Sequence, residues 1–147
     1  MNQEEQKQLN KKMIDAVLNG HINLVKYLVE KGVDIYVKDE EPLRLATKNG
    51  YLEVVKYLIS QGADIYALND YVLKLASLHN QIKIIQYFLF DCQMKIKQDT
   101  KDWLIKYNKK EVLDLIEKRD SIMKNYENLE KLKRNDFIDN FNKKIKI

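Results

Sequence analysis

One segment of this chain occurs twice, thirty residues apart. Residues 19–36, NGHINLVKYLVEKGVDIY, return as residues 49–66, NGYLEVVKYLISQGADIY, with ten of the eighteen positions identical. Single residues keep the same period, for example Ala16, Ala46 and Ala76. Self-similarity at a fixed period of this size predicts a solenoid of stacked supersecondary units, and solenoids mostly bind other macromolecules along an extended surface.

The sequence of one period predicts two helices joined by a tight turn. Pro42 suits the first turn of a helix, and Asn49-Gly50 is a turn signal. The apolar residues within 52–59 form a stripe wide enough for a second helix to pack on two sides. Gly62 suits the end of that helix, and a loop follows it. We therefore predict an all-α solenoid with short connecting loops.

The run PLRLATKNGYLEVVKYLISQGADIY (residues 42–66) resembles the ankyrin repeat, in which TPLHLAA, NGHLEVVKLLL and GADVNA follow one another in that order. The sequence of this run is most similar to those of the ankyrin-repeat proteins of giant DNA viruses. The resemblance implies a stack over residues 1–119 and a C-terminal helical cap or tail over residues 120–147. About four helix-turn-helix units are expected, at about 9–38, 39–68, 69–98 and, in degenerate form, 99–119.

The chain departs from the family pattern at several positions. The period is 30 residues, not the usual 33 or so, which implies shortened loops. Asn80 replaces the glycine of the turn, and asparagine tolerates the left-handed conformation. Cys92 replaces the glycine that ends the second helix, so we expect that helix to end differently.

The repeat signal fades after residue 120. A first apolar group has helix-compatible spacing: Ile122, Met123, Tyr126, Leu129 and Leu132. A second group follows: Phe137, Ile138, Phe141 and Ile145. Two alternatives fit this segment, namely one or two helices that cap the stack or a tail that docks a partner. Residues 121–147 carry seven basic and four acidic side chains, which a solvated helix face explains.

Ligands of the ankyrin family usually contact the loops and the exposed face of the first helices. Carried over by position, the candidate partner-binding residues are Tyr36, Lys38, Asp39, Glu40, Arg44, Thr47, Lys48, Tyr66, Leu68, Asn69, Asp70, Tyr71, Lys74, Ser77 and Leu78. Tyrosine and arginine are enriched at interface hot spots, so Tyr36, Arg44, Tyr66 and Tyr71 lead this set. The alternative for Tyr36 and Tyr66 is that they pack against each other between neighbouring units.

Nothing in the sequence predicts catalysis. His21 and His79 fall in the turns inside the units, and Cys92 follows an aromatic run typical of a small buried residue. Asp34 and Asp64 recur at loop starts, where an aspartate bonds nearby backbone. No Gly-rich phosphate loop, HExxH motif or paired-cysteine spacing occurs. We predict that the chain is not an enzyme and uses no cofactor or metal.

These observations predict a module that presents a rigid surface to a partner protein. One alternative is a substrate adaptor for ubiquitin ligation that docks through the C-terminal tail. Another is weak nucleic-acid binding, which the mixed charge of 26 basic and 22 acidic residues disfavours. The single cysteine, the polar N-terminus and the lack of a long apolar run predict a cytoplasmic protein (host-cell cytoplasm if viral) with no membrane segment. A monomer is expected, and end-to-end self-association is the alternative.

Overall fold

The computed structural model describes the backbone of residues 3–145 and the side chains of residues 3–136. The helices are α1 (Gln3–Leu18), α2 (Ile22–Glu30), α3 (Val37–Asn49), α4 (Leu52–Ser60), α5 (Ala67–Leu78), α6 (Ile82–Gln86), α7 (Gln98–Lys106) and α8 (Lys110–Ile145), and α6 runs on into a π-helical turn (Tyr87–Asp91). Each odd-numbered helix packs on the next even-numbered helix, so the units are helix-turn-helix pairs. Every element among the described residues is helical, which confirms the all-α class.

The pairs stack so that the odd-numbered helices form one layer and the even-numbered helices another. We call these the first helices and the second helices of the units. The core lies between the layers and repeats with the sequence: Leu28, Leu58 and Phe88 of the second layer are at most 1% exposed. Ala46 and Ala76 are fully buried in the first layer, where α3 packs on α5. Burial of each large apolar side chain stabilises the stack by about 1.5–3 kcal/mol.

The turns inside the units are held by side chains of the following unit. The Tyr51 ring lies over Gly20, whose φ is +66°, and the Tyr51 hydroxyl donates to the Leu18 carbonyl oxygen over 3.2 Å. Gln81 occupies the equivalent place over Gly50. Asn80, in place of the third turn glycine, adopts a φ of +53°, so the prediction that it takes the left-handed conformation is confirmed.

The third unit ends its second helix differently, as predicted from Cys92. In the first two units a glycine takes the positive φ after the helix, whereas here Cys92 has a φ of −79° and Gln93 has one of +50°. The π-helical turn accommodates this one-residue delay. The amide of Met94 consequently donates to the carbonyl of Phe88, six residues back, over 2.9 Å, whereas that of Ala63 reaches only five residues back.

The first turns of α3 and α5 are kinked, and each contains three consecutive left-handed residues without a glycine; we call these two segments the left-handed turns. Lys38, Asp39 and Glu40 have φ angles of 48°, 56° and 63°, and residues 68–70 have 51°, 59° and 59°. A left-handed residue with a Cβ costs about 1–2 kcal/mol. Contacts with the rest of the stack must therefore hold these turns.

The last helix, α8, is continuous over 36 residues. Its first turns bury Val112 and Ile116 against the stack, and residues 121–136 are all exposed. The exposed apolar side chains of this part are Ile122, Met123, Tyr126, Leu129 and Leu132. The second apolar group of the sequence (Phe137, Ile138, Phe141 and Ile145) lies outside the residues whose side chains are described.

Candidate functional site

Two clefts open between successive first helices, and they are neighbours on one face of the stack. The N-terminal cleft, between α1 and α3, has a volume of about 660 Å³. The central cleft, between α3 and α5, has a volume of about 390 Å³. Glu41 lines both, so they meet at the start of α3. We call this surface the first-helix face.

The N-terminal cleft combines an apolar floor with a cationic rim. Ile14 and Val37 supply apolar surface, and Lys7, Lys11 and Lys38 supply positive charge. Lys7, Lys11 and Ile14 are spaced four and three residues apart, which places them on one side of α1. Such a cleft accommodates apolar groups of a ligand while its rim attracts negative charge.

The central cleft contains the strongest of the predicted hot-spot residues. The Arg44 guanidinium lies over the Tyr71 ring, 5.9 Å from its centroid. Lys48 lies one helical turn beyond Arg44 at the rim, and Leu78, which is 46% exposed, lies on the α5 side. Arginine over an aromatic ring contributes about 0.5–1 kcal/mol at exposed sites, so this pair is a preformed element of the surface.

Arg44 and Lys74 also brace the left-handed turns. One guanidinium nitrogen of Arg44 donates to the Lys38 carbonyl oxygen over 2.9 Å. One unit later, the Lys74 ammonium donates to the Asn69 carbonyl oxygen, also over 2.9 Å. Both candidates therefore fix the loop backbone, and Arg44 also lines the face, so a substitution at either affects loop conformation.

Tyr36 and Tyr66 are exposed, but each is tied to the following unit. The Tyr36 hydroxyl donates to the Gln61 carbonyl oxygen over 3.3 Å, and the Lys95 amide donates to the Tyr66 hydroxyl over 3.1 Å. Each tyrosine thus bridges two units instead of packing on the other. This contradicts the alternative in which the two rings pack together, and it makes both residues structural as well as accessible.

The aspartates at the loop starts behave as the sequence predicts. The Asp34 carboxylate accepts the amide of Tyr36 over 2.8 Å, and the Asp64 carboxylate accepts that of Tyr66 over 2.7 Å. These bonds satisfy the backbone where the chain turns towards the next unit. The prediction that both aspartates are turn-forming residues is confirmed.

Four candidates are buried, and the prediction that they lie on the binding surface is wrong: Thr47, Ser77, Asp70 and Glu40. Thr47 is fully buried, Ser77 is 1% exposed and donates to the Leu73 carbonyl oxygen over 2.7 Å, and Asp70 is fully buried. The reason is that α3 and α5 each pack between two neighbouring first helices as well as on a second helix. A short helix that packs against three neighbouring helices buries side chains on more than one of its sides.

Asp70 belongs to a series of buried polar residues that repeats every thirty residues: Glu40, Asp70 and Thr100. The Thr100 hydroxyl donates to Asp70 Oδ2 over 2.8 Å, which ties the third unit to the fourth. Burial raises the pKa of the Glu40 carboxyl above its ordinary value, while a hydrogen bond from the Asp64 amide opposes the shift. Glu40, a candidate loop residue, is therefore also a core residue.

The other candidates are accessible. Lys38 pairs with Glu41 over 3.4 Å at the entrance to α3, beside the exposed Asp39. Leu68 is 52% exposed at the tip of the second left-handed turn. Asn69 is exposed and donates to the Asp99 carboxylate, and this hydrogen bond lowers the pKa of Asp99.

Sequence reasoning missed the contribution of α1 to this face. Lys7 and Lys11 line the larger cleft, although the family resemblance places candidates only from the first loop onward. Their spacing with Ile14 on one helix side was the available signal.

The remaining titratable groups have few properties suited to catalysis or metal binding. Burial raises the pKa of the Cys92 thiol, although a hydrogen bond with Tyr87 opposes the shift, so the thiol is a poor nucleophile at neutral pH. His21 is exposed in the turn of the first unit, and His79, in the turn of the third unit, is exposed and lines the central cleft. Within the described part of the chain, no three His, Cys, Asp or Glu side chains are grouped to hold a metal ion. Among the same residues, no helix is long and apolar enough to cross a membrane.

Comparison with known proteins agrees with this architecture. The family model described as ankyrin repeats (3 copies) matches residues 12–102, which run from α1 to α7 and cover more than half of the chain. No curated protein matches the chain.

Proposed function

Because the chain belongs to the ankyrin-repeat family, whose repeats generally mediate protein–protein interaction and typically lack enzymatic activity, we propose that its first-helix face binds a partner protein. The observation that carries the proposal is the pair of adjoining clefts on that face, of which the central one is lined by Arg44, Lys48 and the exposed apolar residues Tyr71 and Leu78. A preformed surface of this kind binds with little ordering cost.

A matched pair of double variants tests this proposal. Tyr71→Ala with Leu78→Ala removes one tyrosine and one leucine from the face. Leu24→Ala with Tyr27→Ala removes the same residue types from α2, where they are 42% and 53% exposed. Tyr36 and Tyr66 are left intact because their hydroxyls bridge units. All variants are first shown to be folded by circular dichroism.

The measurement is affinity purification from cells that produce the protein, followed by quantification of each captured partner. We expect partners retained by the intact chain and the α2 variant to be lost from the face variant. A partner retained equally by both variants would place the binding surface elsewhere.

We propose a second function for α8, namely docking of a partner such as a ubiquitin-ligase subunit. The supporting observation is that residues 121–136 are exposed and include Tyr126, Leu129 and Leu132, which are 52–63% exposed. An apolar stripe on a helix without intramolecular cover favours a docking tail over a cap. Under this proposal residues 1–119 form the stack and residues 120–147 the tail.

A truncated variant that ends at Met123 distinguishes a docking tail from a cap of the stack. It keeps Asp120, whose carboxylate pairs with Lys101 over 3.4 Å. If the segment is a tail, the melting temperature should stay within about 2 °C of the intact chain, and binding of the ligase subunit should be lost. A fall of more than about 5 °C would show that the removed residues cap the stack.

The remaining expectations stay proposals. We propose a cytoplasmic, monomeric protein. Weak nucleic-acid binding is the third functional hypothesis, and a steep loss of affinity with salt would support it. The similarity of the repeats to those of giant DNA viruses is a hypothesis that no curated relative supports.

A further inference from the structure

We propose that the partner segment bound by the first-helix face is an acidic peptide that carries leucine-sized apolar side chains. This inference rests on the proposed function and adds the chemistry of the ligand. Two properties of the adjoining clefts carry it, namely their charge and their apolar surface.

The charge of the two clefts is strongly one-sided. Five basic side chains line them, namely Lys7, Lys11, Lys38, Arg44 and Lys48, against the single carboxylate of Glu41. The chain has 26 basic and 22 acidic residues, so setting these six aside leaves 21 of each. The whole net charge of +4 therefore corresponds to the excess on this one face. Such a concentration attracts acidic ligands and accelerates their association.

The N-terminal cleft is lined mainly by apolar surface, and the central cleft presents apolar and polar surface in comparable amounts. Ile14 and Val37 line the N-terminal cleft, and Leu45, Leu75 and Leu78 line the central one. Their volumes, about 660 and 390 Å³, fall in the range of ligand-binding pockets. An occupant that carries charge alone would leave this apolar surface facing water. A peptide with acidic residues and one apolar side chain for each cleft satisfies both parts of the surface.

A peptide fits better than a nucleic acid. Glu41 lies where the two clefts meet, so a continuous phosphate backbone would have to pass a carboxylate. Tyr71 and the His79 imidazole are the aromatic rings of the two linings, and the Tyr71 ring is already covered by Arg44. Single-stranded nucleic-acid sites usually offer several aromatic rings for base stacking.

Fluorescence anisotropy with labelled synthetic probes tests the proposal on the full chain. The probes are a peptide of repeated Glu-Glu-Leu, a matched peptide of repeated Glu-Glu-Ser, a peptide of repeated Lys-Lys-Leu, and an oligothymidylate of equal length. We expect the Glu-Glu-Leu peptide to bind most tightly. Its affinity should fall as salt rises, because exposed charges are screened beyond about 10 Å at 0.1 M salt.

Charge reversal identifies the surface. Lys11→Glu with Lys48→Glu changes two exposed lysines of the clefts, and Lys83→Glu with Lys118→Glu changes two exposed lysines on the second helices α6 and α8. Both double variants have the same net charge. The cleft variant should weaken binding of the Glu-Glu-Leu peptide by about tenfold or more, and the control variant by less than about twofold.

Several results would overturn the proposal. If the two charge-reversal variants weaken peptide binding equally, the effect comes from net charge and not from the clefts. If the Glu-Glu-Ser peptide binds as tightly as the Glu-Glu-Leu peptide, the apolar surface of the clefts does not contribute to binding. Tighter binding of oligothymidylate would assign the face to nucleic acid. If the Glu-Glu-Leu peptide fails to bind while Tyr71→Ala with Leu78→Ala still abolishes partner capture, the ligand chemistry is wrong and the interaction function stands.

Discussion

The hydrogen bond between Thr100 and Asp70 makes a sharp test of how the stack is held together. Both residues are fully buried, and the Thr100 hydroxyl donates to Asp70 Oδ2 over 2.8 Å. Asp70 Oδ1 has no hydrogen-bond partner among the described residues. The Thr100→Val substitution replaces the hydroxyl by a methyl group of similar size and leaves the buried carboxylate poorly satisfied.

The expected cost follows from the chemistry of the acceptor. A hydrogen bond to a charged group is worth about 1.5–3 kcal/mol, and a buried acceptor that loses its partner retains its desolvation penalty. We therefore expect Thr100→Val to lower the free energy of unfolding by about 2–3 kcal/mol. For a chain of this length, that corresponds to a fall in melting temperature of about 4–12 °C.

Thr47 provides a matched control. It is also fully buried, but its hydroxyl has no hydrogen-bond partner in the part of the chain that the structure describes. Thr47→Val has the same change in volume and helix propensity, and it removes an unsatisfied polar group. It should therefore be neutral or slightly stabilising.

Urea denaturation of the three proteins, followed in parallel by circular dichroism and by the fluorescence of the single tryptophan, measures the difference. Trp103 lies one helical turn after Thr100 in α7, so its fluorescence reports on the fourth unit. Coincident transitions would justify a two-state free energy. A cost for Thr100→Val that equals that of Thr47→Val would refute the argument, because the buried hydrogen bond would then contribute nothing.

Two further perturbations test the turns and the buried carboxyl. In urea denaturation, Gly20→Ala should lower the free energy of unfolding by at least about 1 kcal/mol more than Gly32→Ala does. Both glycines have positive φ, but only the Cβ at position 20 would meet the Tyr51 ring, at 2.7 Å. Equal losses of stability would mean that the ring moves aside freely. Glu40→Gln should raise the melting temperature at pH 7 and leave it unchanged below about pH 4. The pKa of Glu40 is raised in the folded state, so the stability that the protonated form provides is lost as pH rises through that pKa. A gain that persists at low pH would assign the effect to packing instead.

The stack itself was predictable because its determinants are local and periodic. The thirty-residue period placed the apolar stripes of the second helices, and Asn80 could be assigned a left-handed conformation from its side-chain chemistry. The different helix end at Cys92 was also predictable, since a cysteine does not favour positive φ. The π-helical turn was not, because it depends on how one extra residue is accommodated between packed neighbours.

The candidate site was predictable only in part, because accessibility depends on neighbours that a single period does not reveal. Thr47 and Ser77 occupy equivalent positions, and Val17 precedes them by the same period; all three are buried. Residues without a long side chain at these positions, like the alanines at 16, 46 and 76, are a trace in the sequence of the close packing between first helices. The cleft lysines of α1 were missed because the first unit differs most from the family pattern.

The two left-handed turns show where the chain has freedom to encode a partner. Residues 31–40 and 61–70 have the same pattern of exposure at every position, so the stack imposes one backbone on two sequences. At the exposed tip, however, the first loop carries Lys38 and the second carries Leu68. A leucine that is half exposed in a left-handed conformation leaves much of its apolar surface in water and bears the cost of its backbone. Because this exposure contributes little to stability, we propose that Leu68 contacts an apolar group of a partner.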